Sequence, residues 1–290
     1  MRDMRDTLRD TFSRVLSLEN RRAGVRRGSI ERIPSFLSKV LGNTRDLTVY
    51  LPPGYSERET IRYPVLYMQD GQNLFDPERA YVPGQSWLLH EAADRAIASR
   101  KAAPMIIVGI DHASAARIDE FTPTREPQRN AGGKADDYAR LLIEEVKSMA
   151  DAAFRTRPQR QFTVVGGSSL GGLLSAYVGL RHPDVFGGIA AMSPSVWWHD
   201  RVILKTVDEF SASERPRIWL DIGGREGSEA LQDARLLRDH LHARGWSGRS
   251  DLRFFEDRRA DHSERAWARR AHGMLEYLFG QPELPPSDGN

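Results

Sequence analysis

A mainly parallel central β-sheet with helices on both faces is the fold class predicted by this 290-residue sequence. Three observations carry it. Short apolar runs alternate with helix-patterned stretches from Ile30 to Phe279, the rhythm of an α/β protein. One run, Met105-Ile-Ile-Val-Gly-Ile110, is almost continuously apolar, as expected of a strand buried on both faces. Finally, Phe162-Thr-Val-Val leads straight into Gly166-Gly-Ser-Ser-Leu-Gly-Gly172 and then an apolar helical pattern, which reads as strand, sharp turn, helix.

The elements follow in order. Two β-like runs lie between Ile30 and Leu51, and Pro52-Pro-Gly-Tyr55 closes them with a turn. Pro64-Val-Leu-Tyr-Met68 is a short buried strand, with Gln69-Asp-Gly-Gln-Asn73 as its following loop. Trp87 to Ser99 reads as a helix and Met105 to Ile110 as the next strand. Residues 112–134 read as a long polar loop, a kind of segment that is often functional. Asp137 to Phe154 has helical periodicity, and the helix after the glycine-rich turn runs to about Arg181. Strands follow at Gly187–Met192, Arg217–Ile222 and Leu252–Phe255, with helices at Leu231–Arg244 and Ser263–Phe279.

Flanking this core, residues 1–27 are rich in arginine, and Met4, Leu8 and Phe12 recur at helical spacing. We expect an amphipathic helix that docks on the domain or mediates self-association into a homo-oligomer. Asp3, Asp6 and Asp10 oppose binding to an anionic membrane surface. Residues 28–281 are expected to form the one α/β domain and 282–290 a flexible tail.

Composition narrows the function classes. A formal charge of +2 gives no case for nucleic acid. The absence of cysteine removes disulfides, thiolate chemistry and Cys-based zinc sites. No apolar stretch is long enough to span a membrane, and the N-terminus lacks the apolar core of a secretory signal, so a cytoplasmic location is expected. The pattern calls for no cofactor and no metal.

Gly167-Ser168-Ser169-Leu170-Gly171 reads as G-x-S-x-G. In a nucleophile elbow the serine sits in a strained turn, and glycines two residues to either side avoid collision. Ser169 has glycine at both offsets, whereas Ser168 has Leu170 ahead of it, so Ser169 is the candidate nucleophile. A phosphate-binding loop would need a following Gly-Lys-Ser/Thr, and a dinucleotide fingerprint would need G-x-G-x-x-G; neither is present here.

Such a serine needs a base and an acid from loops at the carboxyl ends of later strands. Among the histidines beyond Ser169, only His262 follows a strand through a loop and immediately precedes a helix. His182 ends the elbow helix, His199 precedes the expected acid, and His240, His242 and His272 lie within helices. For the acid, Glu226 lies in the loop after the Arg217–Ile222 strand, while Asp221 lies on that strand; Asp257 and Asp261 are further alternatives. An oxyanion hole needs two preorganised N–H donors. Leu170 N–H is one, and Gln72 N–H is the second choice, with Gly71 next, because glycine there permits close approach of the backbone to substrate.

With these positions in view, the chain resembles the esterase family of α/β-hydrolases that includes enterochelin, feruloyl and acetylxylan esterases, S-formylglutathione hydrolase and the mycolyltransferases. The resemblance spans roughly residues 30–280. It is carried by Val49-Tyr-Leu-Pro-Pro-Gly-Tyr55, Leu66-Tyr-Met-Gln-Asp-Gly-Gln-Asn-Leu-Phe-Asp76, Arg117-Ile-Asp-Glu-Phe-Thr-Pro123, Gly166 to Gly172, Ser193-Pro-Ser-Val-Trp-Trp198 and Asp261-His-Ser-Glu-Arg-Ala-Trp267. It is most similar to the enterochelin-esterase-like branch.

The resemblance implies an α/β-hydrolase fold, Ser169 as nucleophile, His262 as base and an acid in the Gly223–Gly227 loop, hence Glu226. The family's acid is often Asp, and some members use a Ser-His dyad. Cytoplasmic enterochelin esterases carry a separate N-terminal domain where this chain has a short arginine-rich segment, so enterochelin itself is not carried over as substrate. The expected function is hydrolysis of a small-molecule carboxylic ester through an acyl-enzyme. Acyl transfer by the same residues and a non-catalytic binding protein on the same fold are the alternatives. Trp197 and Trp198 are expected to line the pocket, with Arg117, Asp119 and Glu120 shaping it from the polar loop.

Overall fold

The computed structural model describes residues 26–248 and 250–280. The arginine-rich segment, up to residue 25, and the tail from 282 lie outside the described residues. Eight strands form one sheet: β1 (Ser29–Leu37), β2 (Thr44–Leu51), β3 (Val65–Gln69), β4 (Ile106–Ile110), β5 (Thr163–Ser168), β6 (Gly188–Met192), β7 (Arg217–Gly223) and β8 (Leu252–Asp257). In space they run β1-β2-β4-β3-β5-β6-β7-β8. Strand β2 is antiparallel to both its neighbours. All pairs from β4 to β8 are parallel. This is the α/β-hydrolase arrangement.

Parallel neighbours need crossovers, and helices supply them. They are α1 (Leu89–Ala98), the short α2 (Arg117–Phe121), α3, α4 (Leu170–Arg181), α5 (Trp198–Asp208), α6 (Ser228–Ala243) and α7 (Glu264–Phe279). Helix α3 comprises Ala135–Arg140, a π-helical stretch Leu141–Lys147, and Ser148–Ala153. Helices α1 and α7 cover one face of the sheet, packing Ala93, Met274 and Leu275 against Met68, Met192 and Trp219. The other face takes α3 to α6, with Leu142, Leu173, Ile203 and Leu237 in its core.

Burial explains the sequence pattern. Every residue of β3 and β4 is buried, which is why these strands read as continuous apolar runs rather than alternating ones. In α4 all residues from Leu170 to Leu180 are buried, so this helix is apolar all round. Among the described residues, no helix is long and apolar enough to cross a membrane.

Two stretches differ from expectation. Residues 112–134 are not an open loop: they fold into a 3₁₀ turn (Ser114–Ala116), α2, and a small hairpin pairing Arg125–Glu126 with Ala131–Gly132. Gly132 makes the fold-back possible. Its φ is +97°, and a Cβ there would lie 2.6 Å from the Trp198 ring. Helix α5 is absent from the sequence reading; its start is irregular, with His199, Asp200 and Arg201 all at positive φ.

The parallel run brings the ends of β3, β5, β7 and β8 to one edge of the sheet, where ligands of open α/β sheets bind. Their following loops carry Gln72, Ser169, Glu226 and His262 respectively. Because α4 fixes the direction in which β5 ends, its burial supports that edge. Leu173→Ala, at a fully buried position, is expected to cost about 2–5 kcal/mol in equilibrium urea unfolding.

Candidate active site

Ser169 lies between β5 and α4 with φ +56° and ψ −122°, outside the relaxed regions for an L-residue. The flanking glycines allow this turn because they touch one another. A Cβ on Gly167 would lie 2.7 Å from the backbone of Gly171, and one on Gly172 would lie 2.9 Å from the Met192 carbonyl. The turn is tied to its neighbour strand as well: Ser169 N donates to Met192 O at 3.0 Å, and Ser195 N donates to Ser169 O at 3.0 Å.

The structure brings Ser169, His262 and Glu226 into one chain of hydrogen bonds. His262 Nε2 stands 3.0 Å from Ser169 Oγ, and His262 Nδ1 stands 2.6 Å from Glu226 Oε2. The imidazole is partly open to solvent and meets the Trp267 ring edge-on at 4.9 Å. The Glu226 side chain is only 2% exposed. Burial pushes its carboxyl up, but hydrogen bonds from His262 and Ser193, the imidazole charge and the Gly223 N–H outweigh this and hold it below the ordinary glutamate range.

The alternative partners are engaged elsewhere. Asp257 accepts from Arg259 N and Asp261 from Ser263 Oγ. His199 pairs with Thr124, His240 with Asp208, His242 with the Trp246 carbonyl and His272 with Glu276.

Beneath Glu226 lies a buried network that the sequence did not reveal. Ser193 Oγ donates to Glu226 Oε1 at 2.6 Å and accepts from Trp267 Nε1 at 3.0 Å and Arg270 Nη2 at 2.7 Å. Gly223 N also donates to Glu226 Oε1, at 2.7 Å. Arg270 Nη2 lies 3.0 Å from Asp221 Oδ1, and Asp221 also accepts from Trp219 Nε1 and Ser193 N. Asp221 thus serves the support of the site from inside the sheet. The i to i+3 spacing of Trp267 and Arg270 on α7 puts both on the helix face toward Ser193, and that spacing was the available sequence signal. Ser195 was also missed: its Oγ is 3.3 Å from Ser169 Oγ.

The oxyanion candidates have open donors. Leu170 opens α4, and Gly71 and Gln72 open a 3₁₀ turn (Gly71–Asn73), so none has an acceptor within its own helix. The turn begins at Asp70, whose φ of +56° reverses the chain after β3. Gly71 is needed for a different reason from the one expected. A Cβ there would meet the β4 backbone, 2.6 Å from Gly109 C and Ile110 N. It lets the turn press onto the sheet, and the close approach is to β4.

Four of the expected pocket residues are placed differently. Glu120 is buried, paired with Arg45 at 3.0 Å and bonded by Asn43, so it faces the interior and not a substrate. Trp198 is buried too; its indole donates to Thr124 O at 3.0 Å, and it packs under the hairpin. Arg117 has its fork occupied by Asp70 at 2.7 and 2.8 Å, which braces the turn before Gly71. Asp119 accepts from Gly132 N and closes the hairpin. Trp197 remains 46% exposed, with the Arg129 guanidinium 4.9 Å from its ring centre.

A family model described as "Putative esterase" matches residues 38–278. The chain belongs to that esterase family. The esterase is a carboxylic-ester hydrolase acting on small-molecule esters. It is 24% identical over 257 residues to the uncharacterized protein YbbA of Bacillus subtilis (strain 168), covering 84% of this chain and 96% of that one. It is 32% identical over 163 residues to the ferri-bacillibactin esterase BesA of the same organism, covering 51% of this chain and 53% of that one. Among solved structures, the BES protein from Bacillus cereus superposes with a TM-score of 0.70 at 19% identity, covering 91% of this chain and 99% of that one. The enterobactin esterase FES from Shigella flexneri gives 0.68 at 21% identity, covering 87% of the esterase and 59% of that chain. These superpositions speak to the fold.

The hub beneath Glu226 makes a stability prediction. Ser193→Ala leaves the Trp267 and Arg270 donors and one Glu226 oxygen each short of a buried partner. A loss of about 1–3 kcal/mol is expected in urea unfolding, whereas a change within about 0.5 kcal/mol would mean that the hydroxyl is dispensable.

Proposed function

We propose that the esterase works through an acyl-enzyme formed on Ser169, with His262 as general base and acid and Glu226 as the carboxylate that orients it. The observation that carries this reading is the continuous chain from Ser169 Oγ to His262 Nε2 at 3.0 Å and from His262 Nδ1 to Glu226 Oε2 at 2.6 Å. As Ser169 Oγ attacks the ester carbonyl, its proton passes to Nε2. Glu226 fixes Nδ1 as the protonated nitrogen of the neutral ring and stabilises the imidazolium that forms. The N–H groups of Leu170 and Gln72, with Gly71 as the neighbouring donor, receive the carbonyl oxygen as it becomes negative. The tetrahedral intermediate collapses, the C–O bond to the alcohol breaks, and His262 returns the proton to the leaving alkoxide. Water activated by the same nitrogen then releases the acid.

Trp197, exposed and two residues beyond Ser195, serves as an aromatic contact for substrate. Relatives named as ferri-bacillibactin and iron(III) salmochelin esterases, and one named as a xylanase/feruloyl esterase, set the contents of a substrate panel. Siderophore and feruloyl esters belong in it beside simple p-nitrophenyl esters.

Two variants test the reading. Ser169→Ala is expected to abolish turnover of p-nitrophenyl acetate, and full activity in that variant would overturn the assignment of the nucleophile. Glu226→Gln keeps the shape of the acid but loses its charge, so kcat is expected to fall by about 10²–10⁴-fold with little change in KM. An unchanged kcat would reduce the machinery to Ser169 and His262 alone.

A further inference from the structure

Glu264 is a half-buried acid that the reaction above does not use, yet it connects two of its parts. It opens α7, two residues after His262, and Ser263 caps that helix by accepting from Ala266 N. The Glu264 side chain turns away from its own helix. Its Oε1 accepts from Asn73 Nδ2 at 3.0 Å, and its Oε2 accepts from the Trp87 indole N–H. These partners are 191 and 177 residues away in sequence. Asn73 ends the Gly71–Asn73 turn and is itself 7% exposed. Its amide orientation is set by its neighbours: Oδ1 accepts from Tyr81 N at 2.9 Å, which leaves Nδ2 facing the carboxylate. The Asn73 carbonyl takes the Trp87 N–H at 2.9 Å, so Trp87 and Asn73 move as a unit.

We propose that Glu264, in its ionised form, is a positioning residue that clamps the Gly71–Asn73 turn to the start of α7 and so keeps the oxyanion donors in register with Ser169 and His262. This rests on the reading of Ser169, His262 and the oxyanion turn given above. The argument is one of donors and acceptors. The indole N–H and the amide NH₂ are both donors, and only a carboxylate offers an acceptor to each. Protonation leaves one oxygen as a hydroxyl, a weaker acceptor whose proton competes for space with the incoming donor, and that arm of the clamp is weakened.

The surroundings make that ionisation expensive. Burial pushes the Glu264 carboxyl up; the Trp87 hydrogen bond pulls it down, the Asp70 charge pushes it up again, and Arg117 and His262 pull it down, with a net position of about 7. The folded state therefore holds this proton more tightly than the unfolded chain does. The stability this contributes is complete below the ordinary glutamate range and is lost as pH rises through about 7. The ionised clamp thus costs stability above about pH 7.

The test is Glu264→Gln in the full chain, assayed with p-nitrophenyl acetate and by thermal melting from pH 5 to 9. A glutamine oxygen can accept from one donor, while its NH₂ opposes the other. We expect kcat at pH 8 to fall about 10–100-fold with KM nearly unchanged, the size of effect that a small misplacement of catalytic groups produces. The acid limb of kcat/KM is expected to become shallower, because Glu264 no longer titrates. The melting temperature of the variant relative to wild type should be higher at pH 8 than at pH 5, because only the wild type carries the half-buried charge. A wild-type kcat would overturn the proposal.

Should the variant fail to fold, the wild-type chain carries the test through the indole N–H resonance of Trp87 in a ¹⁵N-labelled sample. That resonance is expected to titrate as Glu264 ionises, and a flat response from pH 4 to 9 would show that the carboxylate does not hold the indole and would overturn the clamp. Ser169→Ala separates the two readings. If it retains activity, the underlying mechanism fails. If it is inactive while Glu264→Gln is fully active, only the clamp fails.

Discussion

Everything at the catalytic edge depends on one steric constraint, the closeness of β5 and the first turn of α4. Gly167 and Gly171 are in contact; Gly167 has no room for a side chain, and one on Gly171 would press on Gln69 and Asp70 at 3.1–3.2 Å. This lets the chain reverse within Ser169, at φ +56°, and lifts its hydroxyl above the end of the sheet. Strain of this kind costs of order 1–3 kcal/mol and persists only where its surroundings over-determine it. Here the surroundings are a helix buried along nearly its whole length and hydrogen bonds to Met192 and Ser195 on the adjoining segment.

The second requirement is electrostatic. Glu226 and Asp221 are both buried, with Arg270 the buried cation that contacts them. With both acids ionised, the cluster carries one net negative charge while His262 is neutral. In the proposed reaction that charge is balanced when the imidazole takes the serine proton, so the interior favours the transition state over the resting state. Asp221 sits under Arg270, Trp219 and Ser193 N, and burial still pushes its carboxyl above the ordinary aspartate range. The hydrogen bonds through Ser193 keep the two carboxylates in fixed positions around one guanidinium.

Much of this was legible in the sequence, because topology orders it. Parallel strands that end at one edge force the nucleophile, acid and base into successive loops, so a glycine pattern and the position of His262 relative to a strand and a helix led to three side chains that meet. Contacts that depend on the third dimension were not legible. Ser193, Asp221 and Arg270 lie on three different elements, and no local pattern links them. Side-chain direction in irregular segments was equally hidden: Glu120 and Trp198 looked available, but one is buried against Arg45 and the other under the hairpin.

Three hydroxyls crowd the elbow: Ser168 ends β5, Ser169 occupies the turn, and Ser195 Oγ lies 3.3 Å from Ser169 Oγ. The most direct measurement of the central claim is therefore covalent labelling with a fluorophosphonate, followed by peptide mapping of the adduct. The account predicts a single adduct on Ser169 that forms in wild type and is lost in His262→Ala. An adduct on Ser168 or Ser195, or labelling of Ser169 that is indifferent to the loss of His262, would contradict it.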